Sequence, residues 1–198
     1  MHTTRHNQAG FTLIETLVAI LILAMAIGAL LTLTAGGFFT IRYAKNDIVA
    51  SNLLQESLEY IRNTRDSEAQ KIVPSSWDQW FDTYRNANCT DPDVGCMVNP
   101  YARASTSRVI ACDADGTEVC DNLYYFPSDG FYSYAPAADN LFSSLSSGTE
   151  LQTSFIRTIT MEESANGADI VVTATMEWMN GTNKKQTTQS IILTKWNL

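Results

Sequence analysis

From Thr16 to Ile41 the chain runs through 26 residues without a single charge. As an α-helix this run is about 39 Å long at 1.5 Å per residue, enough to cross a hydrocarbon core of roughly 30 Å. Ahead of it stand ten polar, mildly basic residues, MHTTRHNQAG, and then Phe11 to Glu15. A secretory signal has an apolar stretch of about 7–15 residues followed by a small-residue cleavage site. Ala24-Met25-Ala26 imitates such a site, but the apolar run continues well past it, and the charge of Glu15 sits near its start. A carboxylate at membrane depth costs several kcal/mol unless it finds a partner. No Lys or Arg lies within one or two turns of Glu15. The acid is therefore protonated, or reaches the headgroups, or takes its partner from elsewhere. Cleavage after Gly10 would create such a partner, an α-amino group on Phe11, one turn from Glu15. Between two staggered helices the same amine would meet the Glu15 of a neighbour.

Gly10 followed by Phe11-Thr12-Leu13-Ile14-Glu15-Thr16-Leu17-Val18-Ala19-Ile20 resembles the class III signal of type IV pilins and type II secretion pseudopilins. The resemblance covers residues 1 to about 35 and implies a set of roles. A prepilin peptidase would cut after Gly10 on the cytoplasmic face and N-methylate Phe11. Glu15 would pair with a neighbouring subunit's terminal amine during assembly. Prepilin peptidase, other pilin or pseudopilin subunits, an inner-membrane assembly platform and, before assembly, membrane lipid are the implied partners. The head would lie outside the cytoplasm, and the subunit would end in a pilus or pseudopilus. The competing reading is an uncleaved membrane anchor with Glu15 at the headgroups. Many major pilins carry a helix-breaking Pro midway along this segment. Here no Pro precedes Pro74, and Gly28 and Gly36-Gly37 are the only weak points.

Charge and histidine content narrow the function classes. Lys and Arg total 13 against 21 Asp and Glu, a net charge of −8. Phosphate binding rests on a Lys/Arg excess, so nucleic acid is not an expected partner. Lys184-Lys185 is an adjacent basic pair at a hairpin tip, but the region 71–198 has 8 basic and 15 acidic residues, so the pair reads as a solvated turn. His2 and His6 are the only histidines. Without the first ten residues a Ser-His-Asp or Cys-His hydrolase lacks its base and a zincin lacks its ligands. The chain is expected not to be an enzyme.

Beyond Ile41 the pattern predicts a helix continuing to near residue 70. Residues 42–70 contain neither Pro nor Gly, and Ile48, Leu54, Leu58 and Ile61 recur at spacings of 6, 4 and 3. Glu59 with Arg62, and Arg62 with Asp66, are at ion-pair spacing on the polar side. Ile72-Val73-Pro74 reads as a stop. A second helix is predicted near 75–87, capped by Ser75 or Ser76. Trp77, Trp80, Phe81 and Tyr84 fall on one face of it, either as an exposed binding patch or, the preferred reading, as packing onto the head.

Four cysteines beyond the span suggest disulfides in an oxidising compartment. Three connectivities are possible. Cys89 with Cys96 and Cys112 with Cys120 are preferred, because each pair brackets a turn-rich loop. A four-Cys zinc site lacks the usual Cys-x2-4-Cys spacing. No cofactor is expected, with calcium the sole metal candidate. Asp113, Asp115 and Glu118 offer hard oxygen ligands on a Gly-containing loop, without the spacing of an EF-hand. The alternative is a hairpin turn with solvated acids. The resemblance supports calcium, since some type II secretion pseudopilins bind it in their heads.

The C-terminal part reads as an antiparallel meander. Leu123–Phe126 and Phe131–Tyr134 flank a Pro-Ser-Asp-Gly turn, Ser143–Thr149 reads as a flexible loop, and three longer strands follow at Phe155–Met161, Ile170–Met179 and Thr187–Trp196. Asn166-Gly167 and Asn180-Gly181 mark the connecting turns. The expected class is α+β and pilin-like: a long N-terminal helix packed on a C-terminal antiparallel sheet. The expected divisions are a leader over 1–10, a membrane or filament-core helix over 11–41, its amphipathic continuation over 42–73 and a globular head over 74–198. The leading functional expectation is a structural subunit, a minor pilin or pseudopilin. The alternatives are a pilus-tip adhesin or DNA-uptake subunit on the same scaffold, and a membrane-tethered envelope enzyme.

Overall fold

A computed structural model describes residues 10, 12–71, 76–102, 108–112, 120–127, 129–134, 150–165 and 167–195. Helix α1 runs through Leu13–Ala69 without interruption, and α2 through Ser76–Arg85. The strands are β1 (Cys96–Val98), β2 (Val109–Ala111), β3 (Asn122–Phe126), β4 (Phe131–Ser133), β5 (Leu151–Glu163), β6 (Asp169–Asn180) and β7 (Asn183–Thr194). One long N-terminal helix followed by an antiparallel sheet is the α+β, pilin-like arrangement. The chain divides into two units, Met1–Asn46 and Asp47–Leu198.

In the first unit α1 carries an exposed apolar surface. Leu13, Ile20, Met25 and Leu33 are 79%, 64%, 67% and 73% exposed, so no part of this unit covers them. The helix is long and apolar enough to cross a membrane. Gly28, Gly36 and Gly37 do not break it.

In the second unit a seven-stranded sheet is organised around β5. Strand β6 pairs along one edge of β5, from Ile156↔Glu177 to Glu163↔Ile170. The other edge is shared by β1, at Cys96↔Ile159, and β3, from Asn122↔Ile156 to Tyr125↔Leu151. The β6–β7 hairpin closes on the two residues Gly181 and Thr182, with Asn180 opposite Asn183. Gly181 has φ +65°, which glycine accepts without strain and the tight turn requires. The loop after α2 approaches β5 closely at Gly95. Its φ is +70°, and a Cβ there would stand 2.6 Å from Thr158 Cγ2 and 2.9 Å from the Ile159 carbonyl oxygen.

The outer turns of α1 belong to this unit's core. Ala50, Leu53, Leu54, Ser57, Leu58 and Ile61 are buried, spaced as one helical face. Four of them are large aliphatics, worth about 1.5–3 kcal/mol each when fully buried, or roughly 6–12 kcal/mol together. That equals the net stability of a whole domain, so this stretch of helix is part of the head fold. Ile48, placed on the stripe by its spacing, is instead 62% exposed. It precedes Ala50, the first fully buried residue of the stripe. Asp66 bonds with Arg65 at 2.7 Å, while Arg62 takes Glu59 at 2.5 Å.

Helix α2 turns its aromatic face inward. Trp77, Trp80, Phe81 and Tyr84 are each at most 4% exposed, and the Trp80 and Tyr84 rings lie 5.1 Å apart. Thr64 of α1 satisfies both polar tips: its hydroxyl accepts from Trp80 Nε1 at 3.0 Å and stands 3.0 Å from the Tyr84 hydroxyl. Burial pushes the Tyr84 phenol pKa far up. The hydroxyl therefore works as a neutral hydrogen-bonding group in the interface. Strands β1 and β2, of three residues each, have no counterpart among the strands predicted from sequence. Ser143–Thr149 and Trp196 lie outside the described residues.

Candidate functional site

The N-terminal site is built on the first turn of α1. Gly10 is exposed, and Phe11 lies outside the described residues. Thr12 precedes the helix and caps it. Its carbonyl accepts from the Glu15 and Thr16 amides at 3.1 and 3.2 Å, and its Oγ1 accepts from the Glu15 amide at 3.4 Å. Glu15 is thus the third helical residue, the acidic position of a Thr-x-x-Glu capping sequence. There a carboxylate is favoured by the positive end of the helix dipole, by roughly 0.3–1 kcal/mol. That falls short of the several kcal/mol needed to hold an ionised acid in hydrocarbon. An ionised Glu15 therefore lies at the interface or takes a cation.

The head contains a second polar assembly that sequence patterning missed. Arg157, on β5 between Phe155 and Ile159, points inward and is 1% exposed. Its Nη1 donates to the Leu53 carbonyl of α1 at 2.9 Å, and its Nη2 to the Val98 carbonyl of β1 at 2.6 Å. Nη1 also stands 3.5 Å from Glu56 Oε2, and the Tyr134 ring lies 5.6 Å from the guanidinium carbon. The Tyr101 hydroxyl donates to the other Glu56 oxygen. Burial first, and then the Glu56 carboxylate, push the Tyr101 phenol up to about 12. Arg157 thus ties helix, sheet and the 99–102 loop together through donors held in a fixed fork. The chemistry is structural, for nothing here activates a nucleophile or moves a proton at neutral pH.

Two bridges close the loops beside β5. Cys89 is joined to Cys96, and Cys112 to Cys120. The first bridge is fixed to the sheet by the Met161 amide, which donates to the Cys89 carbonyl at 2.7 Å. Asp113, Asp115 and Glu118, the calcium candidates, lie outside the described residues, among which no group of acids, His or Cys is gathered for a metal. Lys184 and Lys185 open β7, with Lys184 bonded to Glu177 at 2.8 Å. The signal for Arg157 was available in its place on β5, where inward positions alternate through Phe155, Ile159 and Met161.

A helix-first α+β chain with a capped, apolar N-terminus and a first-turn acid has the arrangement of a pilin. Residues 5–31 match the family model described as the prokaryotic N-terminal methylation motif, which spans Gly10, Phe11 and Glu15. That match over 27 residues is to the class III signal of type IV pilins and supports a pilin-like precursor of the kind processed by prepilin peptidase. The motif marks structural proteins of pilin type, which are not enzymes. No curated protein and no solved structure matches the chain.

Proposed function

We propose that the protein is a minor pilin or pseudopilin, a structural subunit of a type IV pilus or type II secretion-type filament. The observation that carries this reading is the coincidence of the methylation motif with an apolar run over residues 11–41 whose one charge is Glu15 and whose described side chains are exposed. Residues 1–10 are a leader removed after Gly10, residues 11–41 the membrane and then filament-core helix, 42–73 its amphipathic continuation, and 74–198 the head. Phe11 is N-methylated, and its amine pairs with Glu15 of the neighbouring subunit, which neutralises both groups as the helices leave lipid. The acidic head stays outside the cytoplasm. An adhesin reading built on the α2 aromatics finds no support, since those rings are buried in the head.

Glu15→Val tests the assembly role. The variant is expected to be cleaved at a near-normal rate but incorporated into filaments at a tenth or less of the wild-type level. Normal incorporation, measured by quantifying the subunit in sheared filaments, would sink the pairing role.

A further inference from the structure

Three cations of the head sit where an aromatic ring and a carboxylate come together. Arg85 lies 4.6 Å from the Phe81 ring centre and bonds Asp82 at 2.7 Å. Lys195 lies 5.9 Å from the Trp77 ring centre and 3.5 Å from Asp78. Arg157 stands between the Tyr134 ring and Glu56, at 5.6 and 3.5 Å. In each case the carboxylate and the negative face of the ring attract the same charge. The combination of ring and acid recurs around a cavity of about 350 Å³ beside β4, at the edge of the sheet. Helix α1 contributes Asn52, Leu53 and Glu56 to its lining, the 99–102 loop Tyr101, and β4 Phe131 and Tyr132. The Tyr101 and Phe131 ring centres are 5.0 Å apart. All six residues belong to the Asp47–Leu198 unit.

We infer that this cavity binds a small quaternary ammonium ion, with Glu56 as its counter-ion and the rings of Tyr101, Phe131 and Tyr132 against its methyl groups. The volume is at the low end for small-molecule sites, which run from about 300 to 1,000 Å³. The Glu56 side chain is 26% exposed and that of Arg157 only 1%, so the acid is reached from the cavity and the arginine stands on its buried side. A carboxylate has about four lone-pair sites, and the Tyr101 hydroxyl and Arg157 take one each. No Lys or Arg stands among the described residues that line the cavity. Arg157 weakens the pull of Glu56 on a cation, so the rings must supply part of the attraction. That balance favours a quaternary ion over a primary one. A primary ammonium is strongly hydrated and would leave N–H donors facing Leu53 and the rings. A quaternary ammonium has no N–H to satisfy, and its charge is spread over methyl groups that suit aromatic faces. An anion would face the Glu56 carboxylate.

The test titrates the full chain, labelled with ¹³C-tyrosine and held in maltoside micelles, and follows the tyrosine ring signals by NMR. Three probes are compared: choline, its uncharged isostere 3,3-dimethylbutan-1-ol, and N-acetyl-lysine methylamide. Choline is expected to shift the Tyr101 and Tyr132 signals saturably, with a dissociation constant about tenfold below that of either other probe. Glu56→Gln should weaken choline about tenfold and leave the alcohol unchanged. Glu56 also pairs with Arg157, so the melting temperature of that variant is measured alongside. Asn52→Asp adds a second carboxylate at an exposed position of the lining and should tighten choline severalfold, a result that does not depend on the Glu56 variant folding. Equal affinity for choline and the alcohol would show a merely apolar cavity and overturn the inference. Tighter binding of the lysine amide would overturn the choice of a quaternary ion. No saturable shift with choline below about 100 mM would overturn the site itself.

Discussion

Along α1, residues 13–45 and residues 50–61 are parts of one helix with opposite relations to the rest of the chain. The first stretch is almost wholly apolar, and its described side chains are exposed. The second is mixed in composition, yet Leu54 and Ile61 are completely buried. Apolar content alone therefore does not decide burial here. In the head stretch a stripe meets a sheet supplied by the same chain, so a few well-spaced aliphatics suffice. In the N-terminal stretch the described side chains are exposed, and nothing within that unit covers them. The difference explains why the methylation motif sits on the first stretch. On the proposed function the first stretch is an anchor that moves from lipid to filament, which requires a surface not claimed by its own unit.

The largest expected effect is on the head side. Arg157→Ala removes the buried cation, orphans the Leu53 and Val98 carbonyls, and leaves Glu56 beside an apolar hole. Breaking such a pair costs about 3–5 kcal/mol, roughly 6–20 °C in melting temperature for a chain of this size. A drop below 2 °C would show that the network does not hold helix to sheet. The sharpest contrast within α1 is Leu54→Ala against Leu23→Ala. The first should cost about 2–5 kcal/mol, while the second should leave the melting of the head unchanged. Similar shifts for both would erase the distinction between the two stretches. The smallest effect is local: Thr12→Ala removes the cap and should cost about 1 kcal/mol in the first turn. Amide exchange at Glu15 and Thr16, whose amides donate to Thr12, should then quicken about fivefold, with no change in the head.

Much of this was legible because it depended on spacing. The helix over 13–69 follows from the absence of Pro and an apolar face, and the α2 aromatics from their i, i+3, i+4, i+7 positions. The C-terminal strands follow from alternation and the Asn-Gly turns. What failed depended on where a partner ends. Ile48 has the right spacing, but Ala50 is the first residue of the face to be fully buried. Arg157 stood at an inward position of the β5 alternation, but a charged residue in a strand is ordinarily turned to water. The carbonyls of Leu53 and Val98 and the Glu56 carboxylate, all distant in sequence, make its burial tolerable. The three-residue strands β1 and β2 are too short to carry a period and exist by pairing across Cys96↔Ala111 to Val98↔Val109. At the N-terminus, Thr12 and Glu15 spelled a capping sequence all along, a role separate from the one their resemblance to pilins implied.

The central claim is that the chain is a precursor whose working N-terminus is Phe11. Intact-mass and N-terminal analysis of the protein from its native envelope tests this most directly. The account predicts a chain beginning at Phe11 and bearing one N-methyl group. A chain beginning at Met1, or near Ile27 after a conventional signal cleavage, would contradict it.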